Sequence, residues 1–262
     1  MKLQLRDFTM VYDDVGQGSP LLFIHGYPLG RALWQPQIEA LSQVARVIVP
    51  DLRGFGDSPA VAGKASMETY AADCAALLDA LEIHEPVTLC GLSMGGYIAF
   101  AFWRAHAARV GQLILAATRA LPDSAEQQEN RLKAAALAEK EGAEAIARAM
   151  LPKMLSPKTQ AEHPEIIAQT KQIMLNASVT GIVSALLGMR ERPDSTPTLA
   201  TITVPTLIVR GADDAFASAE EVAAMQAAIP GAQLAIIAGA GHLPNLEQPA
   251  VFNQAIKQFI GL

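Results

Sequence analysis

Residues 87–96 read Val87-Thr88-Leu89-Cys90-Gly91-Leu92-Ser93-Met94-Gly95-Gly96, an apolar run that meets a Gly-x-Ser-x-Gly and passes into helical spacing from Met94 to His106. A run that is apolar without alternation is a strand buried on both faces, the kind found in parallel sheets covered by helices. Where such a strand turns directly into a helix, the serine is held in strained backbone. Gly91 and Gly95 are then required, because a Cβ at either would collide with the neighbouring strand or helix. The serine hydroxyl stands above the sheet, with a helix N-terminus aimed at any negative charge that develops beside it. Ser93 is therefore the candidate nucleophile. The plainer alternative is a glycine-rich turn without chemistry.

Working outward, strand-like runs occupy Phe8 to Tyr12, Pro20 to Ile24 and Arg46 to Pro50 before this turn, and Val110 to Ala116, Val204 to Val209 and Ala232 to Ala238 after it. Helical periodicity fills Met67 to Leu81 behind a Ser66 N-cap, Ala219 to Ile229 and Pro249 to Phe259. The alternation predicts an α/β fold with a mostly parallel central sheet flanked by helices. Between Leu121 and Pro193 the strand signal vanishes, and breaks at Gly142, Pro152, Pro157, Pro164 and Gly181 divide an Ala-, Glu-, Lys- and Met-rich stretch into short helices. The expected organisation is a core domain of residues 1–120 and 194–262 with a helical cap, or lid, inserted at 121–193. A cap in that place covers the carboxyl ends of the strands, where open α/β sheets hold their sites.

Composition excludes other classes. With 262 residues, 51% hydrophobic and 18% charged, the chain has ample apolar material for a core and is not disordered. A formal net charge of −6 offers no basic surface for a phosphate backbone, so nucleic acid is not an expected partner. Charged residues among Met1 to Asp7 interrupt any secretory apolar run, and no segment is apolar for the ~20 residues of a membrane span. A soluble, cytoplasmic protein is expected, with Cys74 and Cys90 as core hydrophobes rather than a disulfide. The oligomeric state is not legible.

A serine nucleophile needs a base. Of the five histidines, His84 and His106 close helical segments and His163 falls in the insert. His242, in Gly239-Ala240-Gly241-His242-Leu243-Pro244 just beyond the last strand, is free to lean over the sheet and is the candidate base. A carboxylate must orient that imidazole, and it is expected after the strand Leu207-Ile208-Val209, in Arg210-Gly211-Ala212-Asp213-Asp214. Two aspartates compete there, and the Gly-x-x-Asp spacing from Gly211 favours Asp214. The oxyanion donors are expected to be the N–H groups of Met94 and of Tyr27, in His25-Gly26-Tyr27-Pro28 after the strand Leu21 to Ile24; Pro28 has no N–H to give. His25, at a strand end before Gly26, is read as tying down this loop.

Together these stretches, with Asp51-Leu52-Arg53-Gly54-Phe55-Gly56-Asp57-Ser58, resemble the α/β-hydrolase family over nearly the whole chain. The resemblance implies that Asp51 and Arg53 are scaffold residues and that no cofactor is used; separately, the five histidines and two cysteines form no ligand-spaced cluster, so no metal is expected. The tract Arg119 to Ser124, with Glu191 to Ser195 at the far end of the insert, is similar to bacterial serine carboxylesterases near the enol-lactonase and cofactor-free haloperoxidase branches. Relatives that act on haloalkanes or epoxides carry an aspartate at the elbow, so Ser93 argues against both. The implied reaction is hydrolysis of short carboxylic esters through an acyl-serine, with minor perhydrolysis associated with Pro28. Lactone hydrolysis is an alternative, and so is a small-molecule receptor without turnover. Leu29, Met150, Met154, Leu187 and Leu243, with Met174 and Met189, are the expected apolar pocket residues. The insert shows no evident inward cluster of arginines, which favours neutral esters.

Overall fold

The computed structural model describes residues 1–262. Eight strands, β1 (Lys2–Gln4), β2 (Thr9–Val15), β3 (Pro20–Ile24), β4 (Arg46–Pro50), β5 (Val87–Leu92), β6 (Val110–Ala116), β7 (Thr206–Gly211) and β8 (Gln233–Ile237), form one sheet in the order β1-β2-β4-β3-β5-β6-β7-β8. The pairs β1/β2 and β2/β4 are antiparallel and all others are parallel. The short edge strand β1 has only three residues, too few for a period-2 signal, and it was not foreseen.

Side-chain alternation sorts each central strand between two cores. Leu22 and Ile24 of β3, Leu89 of β5 and Leu113 and Leu115 of β6 pack on one face, against α2 (Met67–Ala80) and α3 (Met94–His106). Leu21 and Phe23, Cys90 and Leu92, and Ile114 and Ala116 pack on the other. That second face is covered by α1 (Gln35–Leu41) and the C-terminal helix Pro249–Ile260. Burial on both faces explains the unbroken apolar runs. Truncating Leu22, which is fully buried, to alanine should cost about 2–5 kcal/mol. Cys74 and Cys90 are both buried and free.

Six helices separate β6 from β7, the first five being α4 (Ala125–Glu141), α5 (Ala143–Met154), α6 (Pro157–Glu162), α7 (Pro164–Leu175) and α8 (Val179–Arg190). Ser124 and Gln127 close a capping box at the start of α4. Within the insert α4 packs on α8, and α5 on α4 and α7. The insert is fastened to the core where Ser178 donates to Gly54 O through both its N–H and its hydroxyl, each at 3.0 Å. There Gly181 lies so close that a Cβ would stand 2.2 Å from Gly54 O. After β7 come α10 (Ala219–Ala228), α11 (Pro244–Glu247) and α12 (Pro249–Ile260); α9 (Thr196–Leu199) precedes it. No single helix is long and apolar enough to cross a membrane.

Candidate active site

The turn from β5 to α3 puts Ser93 at φ 56°, a left-handed conformation that a serine adopts only under constraint. Neighbours hold it there. Ser93 N–H donates to Ala116 O at 2.9 Å, and Thr118 Oγ1 donates to Ser93 O at 2.8 Å. The turn is as tight as the sequence requires: a Cβ on Gly91 would lie 2.2 Å from Gly95 O, and one on Gly95 would lie 2.2 Å from Ile24 O.

His242, on the loop between β8 and α11, sets Nε2 2.9 Å from Ser93 Oγ and Nδ1 2.9 Å from Asp214 Oδ1. Asp214 Oδ1 also accepts from the N–H of Phe216 (2.8 Å) and of Ala217 (3.3 Å). Burial works against ionisation of Asp214, but the imidazole and these N–H groups outweigh it and hold the carboxyl below the usual range. The Phe216 ring lies 4.6 Å from the imidazole. Asp213 instead points its backbone N–H to Ala240 O, at 2.9 Å, and its side chain is exposed.

The histidine loop has a clamp that sequence reasoning missed. Gly241 and Leu243, on either side of His242, donate their N–H groups to Glu247 Oε1 at 2.8 and 3.3 Å, while Ser156 N–H donates to Oε2 at 2.7 Å. His242 N–H itself donates to Met154 O at 2.9 Å. One buried carboxylate thus ties the imidazole loop to the α5–α6 junction of the insert. The signal in the sequence was an acidic residue five positions after His242, which by itself reads as an ordinary helix-end charge.

Tyr27 lies outside any helix or strand and Met94 opens α3; neither N–H has an acceptor within the chain. Leu29 N–H closes the intervening turn onto Gly26 O at 2.9 Å, with the Tyr27–Pro28 bond cis. His25 is fully buried, with Nδ1 2.9 Å from Gly26 O and Nε2 accepting from Leu52 N–H at 3.1 Å. Burial lowers its pKa, so a neutral ring holds the loop. Asp51 accepts from the N–H of Arg31 and Asp57, and Arg53 pairs with Asp73 and Asp7, so both serve the loop around them. No three His, Cys, Asp or Glu side chains are arranged to hold a metal ion.

Ser93 and His242 open into a small cavity of about 70 Å³, walled by Tyr27, Tyr97, Arg119, Arg131, Met150, Met189 and Phe216. Tyr27, Arg119, Arg131, Met150 and Phe216 also line an adjoining cavity of about 530 Å³ under α4 and α5. Of the expected pocket residues, Met150 and Met189 are therefore in place. Leu29, Met154, Met174 and Leu243 are not: each is fully buried in the core beneath the second face of the sheet. Leu187 also misses both cavities, whereas its neighbour Leu186 lines the larger one, since adjacent helical residues point about 100° apart. The expectation of no inward arginines is overturned by Arg119 and Arg131. Tyr97 had a readable signal, since it follows Ser93 by four residues on one helix face. Arg131 had none, because the orientation of α4 decides which of its residues meets the cavity. A larger recess of about 850 Å³, at Trp103, Arg104 and Val204, lies at the opposite end of the strands and includes neither Ser93 nor His242.

Known proteins agree with this architecture. A thermophilic esterase from Thermogutta terrifontis, solved with malate bound, is 45% identical, superposes with a TM-score of 0.95 and is covered over 93% of its length by 97% of this chain. The 3-oxoadipate enol-lactonase 2 of Acinetobacter baylyi is 29% identical over 97% of this chain and 94% of its own. A bromoperoxidase from Bacillus anthracis is 25% identical with a TM-score of 0.88, over 97% of this chain and 96% of that one. With residues 21–255 matching the alpha/beta hydrolase family, the chain belongs to that family.

Proposed function

We propose that the chain is a serine carboxylesterase that hydrolyses short-chain carboxylic esters through an acyl-serine, with residues 121–193 acting as a cap over the site. The observation that carries this reading is the position of His242, 2.9 Å from both Ser93 Oγ and Asp214 Oδ1. As Ser93 Oγ forms a bond to the ester carbonyl carbon, its proton passes to His242 Nε2, and Asp214 steadies the resulting imidazolium. The carbonyl oxygen becomes an oxyanion that accepts from the N–H groups of Tyr27 and Met94; a donor of this kind contributes about 10²–10³-fold to rate. Collapse breaks the bond to the alkoxy group, which leaves as an alcohol with the proton from His242. Water then gives a proton to His242 and its oxygen bonds to the acyl carbon; the C–Oγ bond breaks, Ser93 recovers its proton, and the carboxylic acid departs.

The small volume beside Ser93 supports a short acyl group. A lactone presents the same bond in a ring, and the likeness to an enol-lactonase keeps lactones among the substrates to be assayed. The likeness to a bromoperoxidase supports peracid formation as a minor activity, with Pro28 shaping the loop that faces the acyl-enzyme. A Pro28→Leu variant that changes peracid formation and ester hydrolysis in equal proportion would remove that role.

Steady-state hydrolysis of p-nitrophenyl esters of increasing acyl length, with a small lactone in the same panel, tests the reading. Many turnovers on acetate or butyrate esters are expected. A single turnover, or none, favours a receptor that has kept the site geometry without the activity.

A further inference from the structure

The wall facing Ser93 holds more positive charge and more unused donors than its own packing needs. Arg119, Arg131 and Arg192 converge on the fully buried carboxylate of Asp123, at 3.2, 3.0 and 2.7 Å, and Arg119 also reaches Glu221 at 3.2 Å. Three guanidinium groups against two carboxylates leave one positive charge uncompensated. Arg192 is spent on the scaffold, since it stacks on the Tyr97 ring and donates to Met189 O and Leu121 O. Arg131 is not: it bonds Asp123 through Nε, its terminal nitrogens donate to nothing in the chain, and it lines the cavity that Ser93 and His242 share.

Two further donors in the same wall are buried without partners, Tyr27 Oη and Arg119 Nε. Tyr27 is only 4% exposed, and burial pushes its phenol well above the usual range, so the hydroxyl remains a proton donor. Buried donors without acceptors are uncommon and costly, and a cluster of them beside a nucleophile points to an acceptor brought by a ligand. The charged groups around the two cavities are Arg119, Arg131, Asp123 and Lys153, with Glu221 behind Arg119. Asp123 is held ionised below the usual range, against the cost of its burial, by Arg131 and Arg192, and both its oxygens are already engaged, Oδ1 by Arg119 and Arg192 and Oδ2 by Arg131, so the unpartnered donors look to another acceptor.

We propose that Arg131 and the Tyr27 hydroxyl form a carboxylate subsite, and that the preferred substrates are short esters bearing a free carboxylate a few bonds from the scissile carbonyl. The proposal rests on the esterase reading above and narrows its substrate class. With Lys153 exposed at the edge of the larger cavity, the buried wall itself carries one uncompensated guanidinium charge, which matches a monoanion, and the flat edge of a guanidinium matches the two oxygens of a carboxylate. The placement of Tyr27 sets the length. Its N–H faces the oxyanion and its hydroxyl meets the carboxylate, so the two ends of one residue gauge the distance between ester and acid.

The test compares monomethyl succinate with methyl levulinate, in which an acetyl group of the same length replaces the carboxylate. For the wild-type protein kcat/KM should be about tenfold or more higher for the half-ester, the scale of a charge-assisted hydrogen bond, and should lose that margin in high salt. In Arg131→Met the ratio should fall toward one, and in Arg131→Lys it should recover in part; using the ratio within each variant removes any loss of folded protein. Calorimetry with succinate gives a readout free of turnover, with binding expected for wild type and lost in Arg131→Met. A half-ester no better than the levulinate ester, a ratio unchanged by Arg131→Met, or no succinate binding overturns the subsite. Succinate binding that depends on Arg131, with neither ester hydrolysed, upholds the subsite and overturns the esterase reading instead.

Discussion

The floor and the wall of the cavity are built from different materials. The floor, from Ile24 to Tyr27, from Gly91 to Gly96 and around His242, is made of backbone at strand ends, packed so closely that an added Cβ on Gly91 or Gly95 would fall 2.2 Å from a carbonyl oxygen. The wall, from Arg119, Arg131, Met150 and Met189, is made of long side chains on helices and loops of the insert region, with open volume in front of them. A floor of this kind has one geometry, and changes to it should remove the reaction. A wall of flexible side chains can change its selection while the reaction continues.

The sharpest break in that comparison is Ser93→Ala. It should leave the fold intact and lower ester turnover by about 10⁴–10⁶-fold, because nucleophile and base act as a unit. A phosphonate reagent should label Ser93 alone in the wild-type protein. Substantial activity in the alanine variant, or labelling elsewhere, would move the nucleophile out of the floor. Acid should act on the same residues. A general base must be neutral to accept the Ser93 proton, so kcat/KM should fall on acidification, while Asp214, held below the usual carboxylate range, stays ionised. Undiminished activity at about pH 4 would exclude a histidine base.

Glu247→Gln tests whether the floor extends to the clamp behind it. The amide offers one acceptor oxygen where the carboxylate has two, and its NH₂ faces an N–H group, so at least one of the bonds to Ser156, Gly241 and Leu243 is lost. Displacing the imidazole by a fraction of an ångström should lower kcat by about 10–100-fold while KM changes little. A fall in melting temperature without a fall in kcat would make Glu247 a stabilising residue only. The smallest effect is expected in the wall. Met150→Ala enlarges the space beside Ser93 and should shift preference toward longer acyl chains by about tenfold or less per methylene, mainly through KM. Loss of activity on short esters comparable to that of Ser93→Ala would mean that the wall, too, fixes the chemistry.

The same division explains what could be read from the chain. Ser93, His242 and Asp214 were legible because each sits in a loop at a strand end, where backbone geometry demands particular residues at particular spacing: glycines around Ser93, Gly211 three residues before Asp214, small residues before His242. Runs buried on both faces marked β3 to β7 for a related reason, since a central parallel strand tolerates few polar side chains. Strand β1 left no such trace, and neither did the clamp at Glu247, whose meaning depends on three N–H groups brought to it from two distant segments.

The pocket divided along that line. Leu29, Met154 and Leu243 have the apolar character a pocket wants, yet core packing claims them entirely, while Met150, four residues before Met154 on the same helix, faces the cavity. Sequence by itself determined the sheet, the elbow turn and the strand-end positions of Ser93, Asp214 and His242, because local backbone constraints write themselves into glycines and apolar periodicity. Which way α4 and α8 turn their side chains was decided by tertiary packing alone: the rotation of a helix about its axis is set by everything it touches, and it put Leu186 rather than Leu187 of α8 in the larger cavity and Arg131 of α4 in the wall of the cavity that holds Ser93.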